Sequence, residues 1–270
     1  MSSISSFKKN VWSWIPSLYY TQGIPYVMVV TVSVIMYKDL GIANSDIALY
    51  TSLLSLPWAF KPVWSPFIDI FKTKRWWTYL MQGLIGVSFA GAAITLTTPF
   101  FFEASLIFMF VIAFCSSTHD IAADGFYMLA LNDEDQSFFV GIRSTFFRLA
   151  MISGEGLFVV LAGIIATSSG SVSFSWISIL GIVALLMMVM SAYHAFILPR
   201  PDGDFPVRNE GENPLKAVLE TFVDFFKKEQ IGLAILFVML YRFGEGQLVK
   251  IAAPFLLDGR DIGGLGLSVT

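Results

Sequence analysis

Residues 104–130 read ASLIFMFVIAFCSSTHDIAADGFYMLA, an apolar run that then carries two carboxylates, Asp120 and Asp124. The stretch is long enough to cross a bilayer core as one helix, which takes about 20 residues. An acid near the centre of such a helix costs about 2.5–3.5 kcal/mol on insertion. The stretch therefore predicts a membrane helix within a larger assembly, whose other residues compensate for its charges.

Composition extends this interpretation to the whole chain. Of its 270 residues, 56% are hydrophobic and only 14% are charged, whereas soluble domains have about 25% charged residues. The mean hydropathy is +0.70. These values predict an all-α polytopic membrane protein. The net charge of −3 argues against a nucleic-acid partner, which favours basic surfaces.

Seven apolar segments are long enough to span a bilayer as helices. The first is longer than the apolar core of a signal peptide, about 7–15 residues, so we expect it to remain in the protein. The first six are closely spaced and predict an N-terminal six-helix bundle, residues 1–198. The seven predicted spans are residues 11–37, 46–69, 76–98, 104–130, 138–166, 172–198 and 230–257.

The chain changes character after the sixth span. Residues 199–213 are rich in Pro, Gly and charged residues, which is typical of a solvated linker. Apolar residues in 214–229 recur on one helical face after an Asn-Pro pair, which predicts an amphipathic helix on the membrane surface. An extension of the seventh span into water is the alternative. We therefore predict a cytoplasmic linker at 199–229, followed by helix 7 and the start of a further unit at 230–270.

Lys and Arg outside the spans are concentrated on one side of the membrane, and in membrane proteins that side is the cytoplasm. Lys38 and Arg260 are the basic residues on the opposite side. The N-terminus is therefore predicted to be cytoplasmic, although the acidic loop 132–137 lies on the same side. The basic residues on the N-terminal side are Lys8, Lys9, Lys72, Lys74, Arg75, Arg200, Arg208, Lys216, Lys227 and Lys228.

Charges inside the spans are unevenly distributed. The third and sixth spans carry no formal charge, so they can face lipid. The second, fourth, fifth and seventh spans do carry charges, which must face a protein interior or a water-filled cavity. This alternation suggests the nested three-helix units of secondary transporters. The charged residues within spans are Lys61, Asp120, Asp124, Arg143, Arg148, Glu155, Arg242, Glu245 and Lys250.

Several of these charges are predicted to lie at the same depth in the membrane. If the fourth and fifth spans form an antiparallel hairpin, Asp120 lies level with Arg148, and Arg143 lies within a turn of Asp124. Lys61 lies at a similar depth in the second span. Opposite charges at one depth offset part of each other's desolvation. A purely structural role, in which the pairs only hold helices together, is the alternative.

Two spans contain polar, glycine-interrupted segments: YYTQGIP at 19–25 and YRFGEGQ at 241–247. Gly and Pro loosen a membrane helix, and neighbouring polar groups can then line a cavity. Interrupted helices in corresponding halves of a chain are the best sequence indication of a transporter binding site. We therefore expect Tyr20, Gln22 and Glu245 to contact a solute.

Four motifs resemble a known family. Residues 64–77, WSPFIDIFKTKRWW, resemble the loop between helices two and three of the major facilitator superfamily, with Asp69 followed by a basic cluster. Ser65 and Ile70 replace the glycine and the arginine of that pattern. The other three motifs resemble the AmpG-like muropeptide permease branch, which is related to acetyl-CoA transporters. They are QGIP (22–25), LPWAFKPVWSPFID (56–69) and THDIAADGF (118–126).

The resemblance implies a twelve-helix fold of two halves in a bacterial inner membrane, monomeric, without a cofactor. It also implies proton-coupled import of a sugar-peptide or other anionic solute by alternating access. Because the chain ends just after the seventh span, we expect a fragment or a truncated reading frame. The expected solute contacts are Tyr20, Gln22, Lys61, Tyr127, Arg148, Arg242 and Glu245. The expected proton-coupling residues are Asp120, Asp124 and Glu155, and the expected gate residues are Asp69, Lys72, Lys74 and Arg75.

Two other functions compete with transport. One is an intramembrane hydrolase or metal-dependent enzyme whose site is formed by Asp120 and Asp124, together with His119. His119 points about 100° away from Asp120 around the helix, and no second His/Cys cluster occurs. The other is a receptor, for which no appended domain is found. We therefore predict neither enzymatic activity nor a metal site.

Overall fold

A computed structural model describes residues 11–206, 214–241 and 260. All regular structure in these ranges is helical, and α1, α5, α6, α7 and α8 are each long and apolar enough to cross a membrane. The predicted all-α polytopic membrane architecture is confirmed. The helices are α1 (Ile15–Asp39), α2 (Asn44–Leu53), α3 (Leu56–Ala59), α4 (Lys61–Ile70), α5 (Lys74–Thr95), α6 (Phe101–Ala130), α7 (Asp133–Ser169), α8 (Val172–Ile197), α9 (Pro214–Lys227) and α10 (Ile231–Tyr241).

The chain divides into two compact units, Met1–Glu210 and Gly211–Thr270. The first contains α1–α8, and the second contains the short helices α9 and α10. The seventh predicted span is described only as far as Tyr241, so the predicted site residues Arg242 and Glu245, as well as Lys250, lie outside the described residues. The predicted division into bundle, linker and further unit stays a prediction.

The second predicted span is broken into the three short helices α2, α3 and α4. Proline removes a helical hydrogen bond and disfavours helical geometry in the residue before it, and this segment contains Pro57, Pro62 and Pro66. Phe60 interrupts the helix with φ −95° and ψ 9°. The interruption makes Lys61 the first residue of α4, so its side chain projects from a helix end rather than from a continuous span.

Helices α1 and α7 pack closely through glycine. A Cβ atom on Gly23 would lie 2.6 Å from the Cβ of Ala150, and one on Gly154 would lie 2.4 Å from a methyl group of Val27. Each helix also contains a π-helical segment near this contact, Met28–Val32 in α1 and Ser153–Phe158 in α7. Such segments occur often at functional sites. The close approach at these two glycines thus fixes the rotation of α7 against α1.

Helix α6 lies in the centre of the first unit. Its residues 115–120 are all buried, and six consecutive buried residues cover every side of a helix. Helix α5 packs against α6, α8 packs against α5, and both α5 and α8 expose apolar side chains such as Ile94 and Leu185. Although the predicted spans 76–98 and 172–198 carry no formal charge, both bury a polar residue, Gln82 in α5 and His194 in α8.

The acidic segment 132–137 belongs to the start of α7 rather than to a long loop. The Asn132 side chain accepts a hydrogen bond from the backbone N–H of Asp135 at 2.9 Å, and three acids occupy the first helical turn. Carboxylates are favourable at a helix N-terminus, where the backbone N–H groups carry partial positive charge. Their position is therefore explained by helix capping.

Part of the predicted solvated linker is docked on the bundle. Both carboxylate oxygens of Asp204 accept backbone hydrogen bonds at the start of α5, from Lys74 at 2.6 Å and Arg75 at 3.0 Å. The Arg75 guanidinium donates to the carbonyls of Ala195 and Leu198 at the end of α8. Each side chain therefore satisfies backbone groups that a helix end leaves without partners.

We expect Asp204→Ala to lower the free energy of unfolding by about 1 kcal/mol, the usual cost of losing a helix cap. Thermal unfolding of the detergent-solubilised protein measures this effect. Asp202→Ala is the matched control, because Asp202 is exposed two residues earlier, and its effect should stay within about 0.5 kcal/mol. Equal effects of the two substitutions would contradict the capping role.

Candidate functional site

A largely buried ion pair joins the second span to the central helix. Lys61 Nζ lies 2.5 Å from Asp120 Oδ2, and the Asp120 side chain is only 12% exposed. The helix break before Lys61 lets its side chain reach α6, where Asp120 occupies the fully surrounded segment. The sequence-based pairing of these two residues by depth agrees with this geometry. The lysine charge compensates for the acid that insertion would otherwise disfavour.

Asp124 belongs to a second cluster, one turn further along α6. Arg143 Nη1 lies 3.5 Å from Asp124 Oδ1, and the hydroxyl of Tyr19 donates to the same oxygen at 3.1 Å. The Arg143 guanidinium lies 4.9 Å from the ring centre of Tyr19 and 5.0 Å from that of Tyr127. Cation–π contacts of this kind stabilise a guanidinium. Asp124 therefore has its own permanent cation, held between two aromatic rings.

Arg148 does not take the expected place beside Asp120. It is exposed on α7 and forms no ion pair within the described part of the chain. Arg143, one and a half turns earlier, is the α7 residue that reaches α6. Glu155 is likewise exposed, within the π-helical segment of α7. The predicted depths of residues on α7 match the structure to about one helical turn. Depth alone does not determine which side of α7 faces α6.

The polar residues of α1 divide between two neighbours. Gln22 is 7% exposed and is close enough to Asp120 to interact with its carboxylate, while its Oε1 atom is buried without a partner among the described residues. The Tyr20 hydroxyl donates to Ser153 Oγ at 3.0 Å, at the start of the π-helical segment of α7. Gln22 thus joins the Lys61–Asp120 pair, whereas Tyr20 contacts α7.

An aromatic layer, formed by Tyr26, Trp58 and Phe147, joins α1, α3 and α7. The Tyr26 ring centre is 5.2 Å from that of Trp58 and 6.2 Å from that of Phe147. Tyr26 follows Gln22 by one turn of α1. The indole nitrogen of Trp58 is buried and has no hydrogen-bond partner in the described ranges. These residues were missed by the sequence analysis, although Trp58 stands in the quoted motif 56–69.

The expected gate residues lie together at the other end of the second span. Lys74 forms an ion pair with Asp69, and Arg75 caps α8. Lys72 is exposed and adopts a left-handed backbone conformation with φ 63° in the turn between α4 and α5. A pocket of about 250 Å³ is lined by Asp69, Lys72, Lys74 and Asp204, among others. Their role as a gate stays a prediction.

The two acids of α6 do not form a shared carboxyl pair, because each is paired with a different cation on a different helix. Among the described residues, no group of three His, Cys, Asp or Glu side chains could hold a metal ion. The arrangement is chemically suited to exchanging an ion-pair partner: a proton or an anion can replace one member of a buried pair.

Comparison with known proteins shows the family of this chain. The model of the BT1 family matches residues 22–243, which include α1 from Gln22 onward and both ion pairs. The chain belongs to the BT1 family. The resemblance to AmpG-like permeases is also confirmed by the curated proteins that this chain matches.

These relatives are distant in sequence but cover most of the chain. The anhydromuropeptide permease of Escherichia coli K12 is 27% identical over 218 residues, which are 78% of this chain and 41% of the permease. AmpG 4 of Rickettsia felis is 26% identical over 252 residues, 87% of this chain and 57% of that protein. AmpG 3 of Rickettsia typhi is 26% identical over 241 residues, which are 80% of this chain and 52% of that protein. The BT1 chain thus spans about half the length of these relatives.

Proposed function

We propose that this BT1 protein acts in proton-coupled import of a muropeptide-like or other anionic solute by alternating access. The observation that carries the proposal is the Lys61–Asp120 ion pair, buried within a unit of membrane-spanning helices. One of its relatives is named an anhydromuropeptide permease, which supports the solute class. The proposal includes no enzymatic step.

The ion pair supplies a mechanism for coupling. Ionised Asp120 holds the Lys61 ammonium, but a proton on Asp120 neutralises the acid and releases the cation. The Lys61 side chain is only 30% exposed, so its ammonium without a counter-ion is unfavourable until another anion compensates for it. An anionic group of the solute meets that requirement, so proton and solute bind together more favourably than either does alone. Two states of similar energy are what alternating access requires.

The aromatic layer offers a matching surface for the rest of the solute. Sugar rings have apolar faces that pack on aromatic side chains, and their hydroxyl and amide groups bond to indole N–H and amide oxygen atoms. Trp58 Nε1 and Gln22 Oε1 are such groups without a protein partner in the described residues. Arg148, exposed on α7, is placed in this proposal as a further contact for an anionic group.

The test is uptake into proteoliposomes that contain the protein expressed from its native reading frame. With radiolabelled anhydromuropeptide outside and an alkaline interior, we expect accumulation above the outside concentration. A protonophore should reduce accumulation to equilibration. Accumulation that persists with the protonophore would overturn proton coupling, and an absence of specific uptake would overturn the solute class.

The proposal places the N-terminus in the cytoplasm, and labelling of single cysteines tests this topology. Gly203→Cys and Thr167→Cys are suitable because both positions are exposed, while the native Cys115 is buried. We expect a membrane-impermeant maleimide to label position 167 in intact cells and position 203 only after permeabilisation. Labelling of both positions from one side would contradict the topology.

A further inference from the structure

A second polar chain, separate from the ion pairs, runs through the interior of the bundle. Ser17 Oγ lies 3.0 Å from His194 Nε2, His194 Nδ1 lies 2.8 Å from Gln82 Oε1, and Gln82 Nε2 lies 2.8 Å from His119 Nε2. Gln82, His119 and His194 are at most 1% exposed. We call these four residues, from α1, α5, α6 and α8, the histidine relay.

The two ends of the relay differ. At one end, His119 Nδ1 is buried and has no partner among the described residues, and Lys61 is close enough to His119 to interact with it electrostatically. At the other end, the Ser17 hydroxyl can donate to the carbonyl of Trp14 at 3.1 Å. The relay therefore extends from the vicinity of the Lys61–Asp120 pair to the first turn of α1.

Two hydrogen-bonding arrangements fit the same heavy-atom positions, because a side-chain amide can be turned by 180° and a neutral imidazole has two tautomers. In the first, Ser17 donates to His194 Nε2, His194 Nδ1 to the Gln82 oxygen, and the Gln82 amide to His119 Nε2. In the second, His119 Nε2 donates to the Gln82 oxygen, the Gln82 amide to His194 Nδ1, and His194 Nε2 to Ser17. Both histidines thus carry their proton on Nδ1 in the first and on Nε2 in the second.

We propose that the histidine relay couples the charge of the Lys61–Asp120 pair to α8 and α1 by changing between these two arrangements. His119 Nδ1 bears a hydrogen in the first arrangement and a lone pair in the second. An uncompensated Lys61 ammonium favours the lone pair, whereas an uncompensated Asp120 carboxylate favours the hydrogen. Because Gln82 links the two rings, His194 must follow His119. This coupling does not depend on the solute or on transport.

The chain has only two histidines, so ¹⁵N-histidine labelling reports the relay without overlap. In solid-state NMR spectra of the protein in liposomes, we expect both imidazoles to show the same tautomer. Asp120→Asn should shift both populations toward Nε2–H, and Lys61→Gln should shift both toward Nδ1–H. The double variant should return close to the wild-type spectrum, and Lys38→Gln, a change of an exposed lysine, should leave it unchanged.

A variant at position 82 tests whether Gln82 links the two histidines. In Gln82→Leu, we expect His119 still to respond to Lys61→Gln, while His194 no longer does. The proposal is overturned if the two histidines hold different tautomers in the wild type, or if His194 does not respond to either charge substitution. It is also overturned if both charge substitutions shift the spectra in the same direction. Comparing the tautomers of His119 and His194 in the wild type tests the proposal even where a variant fails to fold.

Discussion

Lys61→Met is expected to lower the free energy of unfolding by about 3–5 kcal/mol, because it leaves the Asp120 carboxylate buried without a cation. The acid is 12% exposed at its side chain, so water cannot replace the lost partner. The defect should shrink as the pH falls, since a protonated Asp120 is neutral and needs no cation. SDS titration of the protein in detergent micelles at two pH values measures both effects.

Two further variants test whether the loss of stability comes from the Lys61–Asp120 pair. Lys61→Met combined with Asp120→Leu removes both charges and should recover most of the stability, because apolar replacement of a buried pair is often neutral. Lys216→Met breaks an exposed pair with Glu220 and should have an effect within about 0.5 kcal/mol. A double variant less stable than Lys61→Met alone would contradict the stranded-charge explanation.

Asp120→Asn is expected to abolish proton-driven accumulation of solute while exchange of solute down its own gradient persists. The amide cannot ionise, so Lys61 remains permanently available to an anion and no proton is required for solute binding. Asp124→Asn is the matched control on the same helix. We expect it to keep proton-driven accumulation, because Asp124 lies in the cluster of Arg143, Tyr19 and Tyr127 and has a guanidinium that does not deprotonate.

Asp120 and Asp124 are thus expected to differ in function, although the sequence predicts the same role for both. Asp120 and Asp124 are one turn apart on α6 and were both expected to carry the proton step. The structure pairs one with a lysine and the other with an arginine held between aromatic rings. Which arginine of α7 meets Asp124 depends on the rotation of α7, and close packing at Gly23 sets that rotation. Hydrophobic periodicity carries no information about it.

The helical architecture was largely predictable, because apolar length alone identifies helices that cross a membrane. The second span shows where that criterion fails. Pro57 and Pro62 leave its hydropathy high but stand in the first turns of α3 and α4, next to the breaks. These breaks are visible in the sequence once proline is weighed above apolar length. The break before α4 also has a consequence for the site, since it makes Lys61 a helix-terminal residue.

Two further contacts between distant segments could not be predicted from the sequence. Asp204 stands in a stretch whose composition indicates a solvated linker, yet it caps α5 because the chain after α8 turns back to that helix end. His119 was correctly placed off the face of Asp120. Its bond to Gln82 joins positions 37 residues apart, and Gln82 lies in a span without any formal charge.

Solute-driven proton movement tests the central claim most directly. Proteoliposomes with a trapped pH-sensitive dye are given anhydromuropeptide outside, with no pH gradient imposed, and the internal pH is followed. We expect the wild type and Asp124→Asn to acidify the interior, and Asp120→Asn to take up solute without acidification. Acidification by Asp120→Asn at the wild-type rate would show that the proton is carried by another residue and would contradict the account.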